Sequence, residues 1–148
     1  MKILAIIPAR GGSKGVPRKN IKLLGKMPLI EYTINAAKAS IGLAEIVVST
    51  EDVEIAIAAE VCGCKPPFVR PAELSEDDAS SISVVQHAIA FYESNAIFFD
   101  AVCLLQPTTP FREHGFIDRA IEKFISSNAD CLVTVLPIPN EYNPHWAF

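Results

Sequence analysis

The sequence predicts an α/β fold, a mainly parallel sheet covered by helices on both faces. Three features point to it. The runs KILAIIPA (2–9), AEIVVST (44–50), AVCLLQ (101–106) and DCLVTVLP (130–137) are apolar without the in-out alternation of a half-exposed strand. These runs alternate with segments of helical period. The first run empties into a glycine-rich loop, as strands of open parallel sheets do where they build ligand sites. A length of 148 residues fits one domain, 1–148, with one core.

In chain order, the strand at 2–9 is followed by the loop at 9–20. Pro28 suits the first turn of a helix in which Leu29, Ile30, Ile34 and Ala37 mark one face. Gly42 follows that helix, and the second strand covers 44–50. Asp52 is placed to cap the helix VEIAIAAEVCG, which Gly63 ends. Three prolines make KPPFVRPAELSEDDASS an irregular crossing. Asp78, Ser80 or Ser81 can cap a third helix at about 80–94, with Ile82, Val85, Ile89 and Tyr92 inward. The third strand runs into the turn PTTPFR. A fourth helix at about 113–127 turns Phe116, Ile117, Ala120, Ile121 and Phe124 inward, and DCLVTVLP reads as a fourth strand. Loops at 9–20, 49–52 and 106–112 leave the carboxyl ends of the strands. With the crossing at 66–81 they are the expected walls of a site.

Charge narrows the ligand. Residues 1–30 hold seven Lys/Arg and no Asp or Glu, while the rest holds six Lys/Arg and all 17 acids. A basic cluster on an acidic body suits a small anion. A nucleic-acid groove would make the whole domain basic, and no aromatics interleave the loop. The apolar core Ile3–Ile7 is too short for a secretion signal, and no window reaches the roughly 18 residues of a membrane span. Of the four cysteines, Cys103 and Cys131 lie in strand-like runs, where a reduced thiol packs as a small hydrophobe. Cys62-Gly-Cys64 has no second pair to complete a zinc set. The expected compartment is the cytoplasm.

In IPARGGSKGVPRKN (7–20), Gly11 and Gly12 let backbone N–H groups approach an anion, and Gly15 lets the loop turn. Arg10, Lys14, Arg18 and Lys19 surround the same cradle with charge, which suits a triphosphate. Taken alone, the loop also reads as a solvated basic turn. It is not a Walker A loop: Gly11 to Gly15 is one residue short, and Val16 follows. The G-x-G-x-x-G fingerprint is absent as well.

Together, IPARGGSKGVPRKNI, STEDVEIA (49–56), RPAELSEDDASS with VVQHAI (70–89), LLQPTTPFR (104–112) and NPHW (143–146) resemble the CMP-sialic acid synthetases, the N-acylneuraminate cytidylyltransferases. That resemblance implies a Rossmann-like three-layer α/β/α nucleotidyltransferase domain. It also implies transfer of CMP from CTP to an acidic nine-carbon sugar, with Mg²⁺ as cofactor. Pseudaminate, legionaminate and 3-deoxy-octulosonate enzymes are the nearest alternatives within enzymes. A non-catalytic nucleotide-binding module descended from such an enzyme is the alternative of another class.

Carried over residue by residue, the resemblance makes Arg10 and Lys19 the catalytic pair that holds the triphosphate. Ala9, Gly11, Gly12, Ser13 and Lys14 complete the cradle, with Arg18 supporting it. Asn20 faces the ribose. Arg70 reads the cytosine edge, joined by the backbone of Ala79 and by Ser81. Gln106, Thr108, Thr109 and Arg112 line the sugar side, where Arg112 can pair with a carboxylate. Members of that family run on past residue 148. The resemblance therefore implies a domain incomplete at its C-terminus, with later strands, a dimer segment and the Mg²⁺ carboxylates beyond Phe148. A sheet ending early leaves an open edge that invites self-association. His87, His114 and His145 receive no catalytic role.

Overall fold

The computed structural model describes residues 1–13 and 15–137; Lys14, the tail motif NPHW and His145 lie outside them. Three parallel strands form the main sheet: β1 (Ile3–Pro8), β4 (Glu45–Ser49) and β5 (Ala101–Leu104), in the order β4-β1-β5. Ile6 lies opposite Val47 on one side and Leu104 on the other. Being central explains the unbroken apolar run of β1, since Ile3 to Ile7 are all buried.

The two faces of β1 build two cores. Ile3, Ala5 and Ile7 pack with Ile30, Ile34 and Ala37 of α1 (Leu29–Lys38), Ile55 and Ala59 of α2 (Val53–Val61), and Ile117 and Ile121 of α4 (Phe116–Ser127). Leu4 and Ile6, with Val47, pack against Ala88 and Tyr92 of α3 (Ser81–Ser94). That makes three layers, and each fully buried Ile or Leu contributes about 1.5–3 kcal/mol.

The helix ends follow their sequence signals. Asp52 caps α2 by accepting from the Ile55 N–H at 3.0 Å, and Ser80 caps α3 through the Ser83 N–H at 3.1 Å. Gly63 adopts φ +71° just past α2. Between the basic loop and α1 lies a small hairpin, β2 (Leu23–Leu24) and β3 (Met27–Pro28), turned at Gly25 with φ +65°. Pro28 ends this hairpin and precedes the first helical residue, and Tyr32 Oη donates to the Leu24 carbonyl at 2.6 Å to tie hairpin to helix.

Three expectations need correction. Residues 130–137 form no strand; Val133, Val135 and Leu136 are 74%, 82% and 88% exposed, and Cys131 is exposed with them. Apolar pattern supplies propensity, but a strand also needs a ladder partner, and the three strands of the main sheet pair without this segment. Helix α3 keeps Tyr92 buried and Val85 partly so, as expected, but its buried face is shifted toward Val84 and Ala88. Val84, Ala88 and Tyr92 are buried, while Ile82 is 69% exposed. The small side chain of Ala88 sits against Leu4 and Ile6, which selects that face over the bulkier alternative. Helix α4 begins at Phe116, and Phe116 itself is exposed, with the Arg119 guanidinium 5.8 Å from its ring centre.

No helix among the described residues is long and apolar enough to cross a membrane, and all four cysteines are free.

Candidate active site

A cleft of about 220 Å³ opens where β1 and β5 end. Arg10, Ser13, Lys19 and Asn20 reach it from the loop after β1. Arg70, Glu76, Asp77 and Ala79 come from the crossing, Ser81 and Val84 from α3, and Gln106, Pro107 and Thr108 from the turn after β5. A shallower recess beside it is lined by Arg10, Gly12, Ser13, Ser75, Glu76 and Asp77. Segments far apart in sequence thus meet on one wall, as expected at the carboxyl ends of parallel strands.

The loop is braced from below. The Ala9 N–H donates to the Ser49 carbonyl at 2.9 Å, and Ala9 is fully buried. The Asn20 amide donates to the Arg10 carbonyl at 2.9 Å from a site only 4% exposed. The Gly11 N–H, expected to face an anion, instead donates to Glu51 Oε1 at 2.7 Å. A Cβ at Gly11 would lie 2.3 Å from Asp52 Oδ2, so this glycine is there for close approach.

The cations are partly neutralised. Arg10 pairs with Asp77 across the cleft at 2.8 Å and donates to the Ser75 carbonyl at 3.3 Å. Arg18 turns away from the cleft at φ 55°. Its guanidinium holds Asp52 at 3.0 and 3.3 Å and Glu54 at 2.7 Å, both at the start of α2. Lys19 opens a 3-10 turn, Lys19–Ile21, and lines the cleft. The second basic position expected in the cradle, Lys14, lies outside the described residues.

Arg70 is 3% exposed. Its Nε donates to Ser75 Oγ at 3.0 Å and its NH2 to Glu51 Oε2 at 2.7 Å, while Ser75 Oγ also donates to Glu51 Oε2 at 2.8 Å. Glu51 had no role in the sequence reading; its only signal was an acid at the carboxyl end of a buried strand. Burial alone would raise its carboxyl pKa. The Arg70, Gly11 and Ser75 hydrogen bonds outweigh burial and hold the group below its ordinary value.

From the turn after β5, Gln106 and Thr108 line the cleft, while Thr109 and Arg112, expected beside them, do not. Arg112 donates to Thr33 Oγ1 at 3.0 Å and to the Gln106 carbonyl at 2.9 Å. It therefore shapes the turn carrying Gln106, and burial lowers its pKa from the ordinary value.

Among the described residues, no three His, Cys, Asp or Glu side chains converge as a metal site. These residues therefore build no all-protein metal cage of their own.

A family profile described as cytidylyltransferase matches residues 4–142. A pseudaminic acid cytidylyltransferase of Campylobacter jejuni is 48% identical over 133 residues, 89% of this chain and 57% of that protein. A CMP-N,N'-diacetyllegionaminic acid synthase of Legionella pneumophila is 42% identical over 146 residues, 99% of this chain and 62% of that protein. The chain thus spans 57–62% of the length of these relatives. A solved CMP:2-keto-3-deoxy-manno-octonic acid synthetase complexed with CTP superimposes with a TM-score of 0.72 at 22% identity. It covers 87% of this chain and 49% of that one, and shows the same fold.

Proposed function

Because the chain belongs to the cytidylyltransferase family, we propose that it binds CTP in this cleft and transfers CMP to an acidic nine-carbon sugar, releasing pyrophosphate. The observation that carries this is the meeting of Arg10, Lys19, Arg70 and Gln106 on one cleft. The sugar's anomeric hydroxyl attacks the α-phosphorus and gives its proton to solvent, the bond from the α-phosphorus to the α,β-bridging oxygen breaks, and pyrophosphate leaves. Arg10 and Lys19 offset charge growing on the phosphate oxygens, and Ser13 and Gly12 offer further donors to the same group. Asn20 holds the loop under the ribose. Arg70, with Ala79 and Ser81, reads the cytosine edge. Gln106 and Thr108 face the sugar, and Arg112 holds their turn in place. The names of the relatives favour a nonulosonate of the pseudaminate, legionaminate or sialate kind.

The test is calorimetric titration of CTP, UTP and ATP, followed by a pyrophosphate-release assay with each nonulosonate. CTP-selective binding and release with at least one sugar is expected. Arg10→Ala and Lys19→Ala should each cost ten-fold or more in CTP affinity or turnover, about what loss of a charge-assisted hydrogen bond costs. Arg70→Ala should weaken CTP more than free pyrophosphate. CTP affinity unchanged in both Arg10→Ala and Lys19→Ala would end the cradle assignment.

A further inference from the structure

We propose that Glu51 is a positioning residue that makes the anion-binding loop and the base-reading arginine a single unit. The inference rests on the nucleotide reading above. One carboxylate spans both halves of the cleft: Oε1 takes the Gly11 N–H at 2.7 Å, and Oε2 takes Arg70 at 2.7 Å and Ser75 Oγ at 2.8 Å. The three donors come from two segments, Gly11 from the loop after β1 and Arg70 and Ser75 from the crossing. Glu51 itself sits two residues past the end of β4, in the short loop before α2, next to Thr50, whose carbonyl takes the Arg70 N–H at 2.9 Å.

Two details argue for positioning over a chance ion pair. Arg70 is 3% exposed, so its charge cannot swing to solvent, and it stays where Glu51 and Ser75 put it. Arg70 still lines the cleft, so a side chain fixed in this way is offered to the base that sits there. The Gly11 N–H, by contrast, is spent on Glu51. Glycine is required there for approach, and the anion is met by the side chains and N–H groups beyond it. Arg10 is linked to the same frame because it donates to the Ser75 carbonyl. Rigid support of this kind keeps binding groups within the narrow tolerance that recognition needs.

The experiment compares wild type, Glu51→Gln and Arg70→Ala. Gln keeps the shape but loses the charge and one acceptor. Amide and guanidinium hydrogen exchange by NMR needs no ligand and reads the unit directly. The Gly11 N–H and Arg70 Nε–H are expected to be protected in wild type and to lose protection together in Glu51→Gln. Titration then supplies the functional arm. Arg70→Ala should weaken CTP more than pyrophosphate, whereas Glu51→Gln should weaken CTP and pyrophosphate alike by about ten-fold or more, as for a lost charged hydrogen bond. Exchange that rises at only one of the two groups overturns the proposal. So does a Glu51→Gln protein with a lower melting temperature and unchanged affinities, which would mark a purely structural acid. Wild type that binds no nucleotide but shows the coupled exchange would overturn the nucleotide reading and leave the Glu51 frame standing.

Discussion

Replacing Gly11 with Ala tests whether the basic loop is seated by contact with α2. The new Cβ would lie 2.3 Å from Asp52 Oδ2, 3.0 Å from its Cγ and 3.1 Å from its Cβ. Asp52 has little room to yield. Its Oδ1 caps α2 through the Ile55 N–H, and both oxygens meet Arg18. If Asp52 moves, the cap is lost at about 1 kcal/mol, within a range of about 0.5–2. The Arg18 pair, 42% exposed on the Arg side, adds little. If the loop moves instead, overpacking costs about 1–3 kcal/mol. For a domain of this size, a loss of about 1–3 kcal/mol lowers the melting temperature by about 3–12 °C. Thermal melting by circular dichroism reads this. The double variant Gly11→Ala/Asp52→Ala should melt close to Asp52→Ala alone, since the two shortest contacts are removed and only the 3.1 Å approach to the Cβ remains. Additive losses in the double variant, or no loss in Gly11→Ala, would refute the reasoning.

Asp77→Asn should free Arg10 for an anion and raise pyrophosphate affinity by up to about five-fold, since a half-exposed pair is worth about 0–1 kcal/mol; weaker binding in a titration would show that Asp77 supports the site. The pH dependence of stability should carry a Glu51 contribution. Its folded pKa lies below the ordinary 4.5, so the contribution is fully present above that value and is lost as pH falls through the folded pKa. Melting between pH 3 and 6 should therefore decline less steeply at the acid end in Glu51→Gln than in wild type; parallel curves would count against the network.

The sequence made the layers legible because β1 and β4 are apolar runs and because α1 and α4 each carry one apolar face; α2 is apolar nearly all round and leaves Val53, Ile57 and Val61 exposed. It also exposed the caps, since Asp52 and Ser80 sit where a side-chain oxygen can reach a free N–H. The rotation of α3 was ambiguous because Ile82, Val85 and Ile89 compete with Val84 and Ala88 for the sheet. Packing against β1, which no periodicity contains, decided it. The same limit governed 130–137, whose pattern describes a strand without supplying its neighbour. At the site, Arg10 and Lys19 stood out by charge in a glycine-rich loop, and Asn20 and Arg70 through the family resemblance. Glu51 did not, because its meaning lies in three hydrogen bonds to segments 19, 24 and 40 residues away. Arg18 and Arg112 carry the expected charge but turn it toward Asp52 and Thr33.

The central position of β1 sets a timetable for assembly. Ile3 pairs with Ala101, so the first strand to leave the ribosome gains its second neighbour only after nearly a hundred further residues. At roughly 5–20 residues per second, that is a wait of about 5–20 s with one edge of β1 open. Arg10 likewise meets Ser75 across 65 residues. Such distant pairings must close before they stabilise anything, which slows folding relative to a helical bundle. The cleft is therefore among the last features to exist. Until β5 arrives, the apolar run from Ile3 to Ile7 is the surface that chaperones would have to shield.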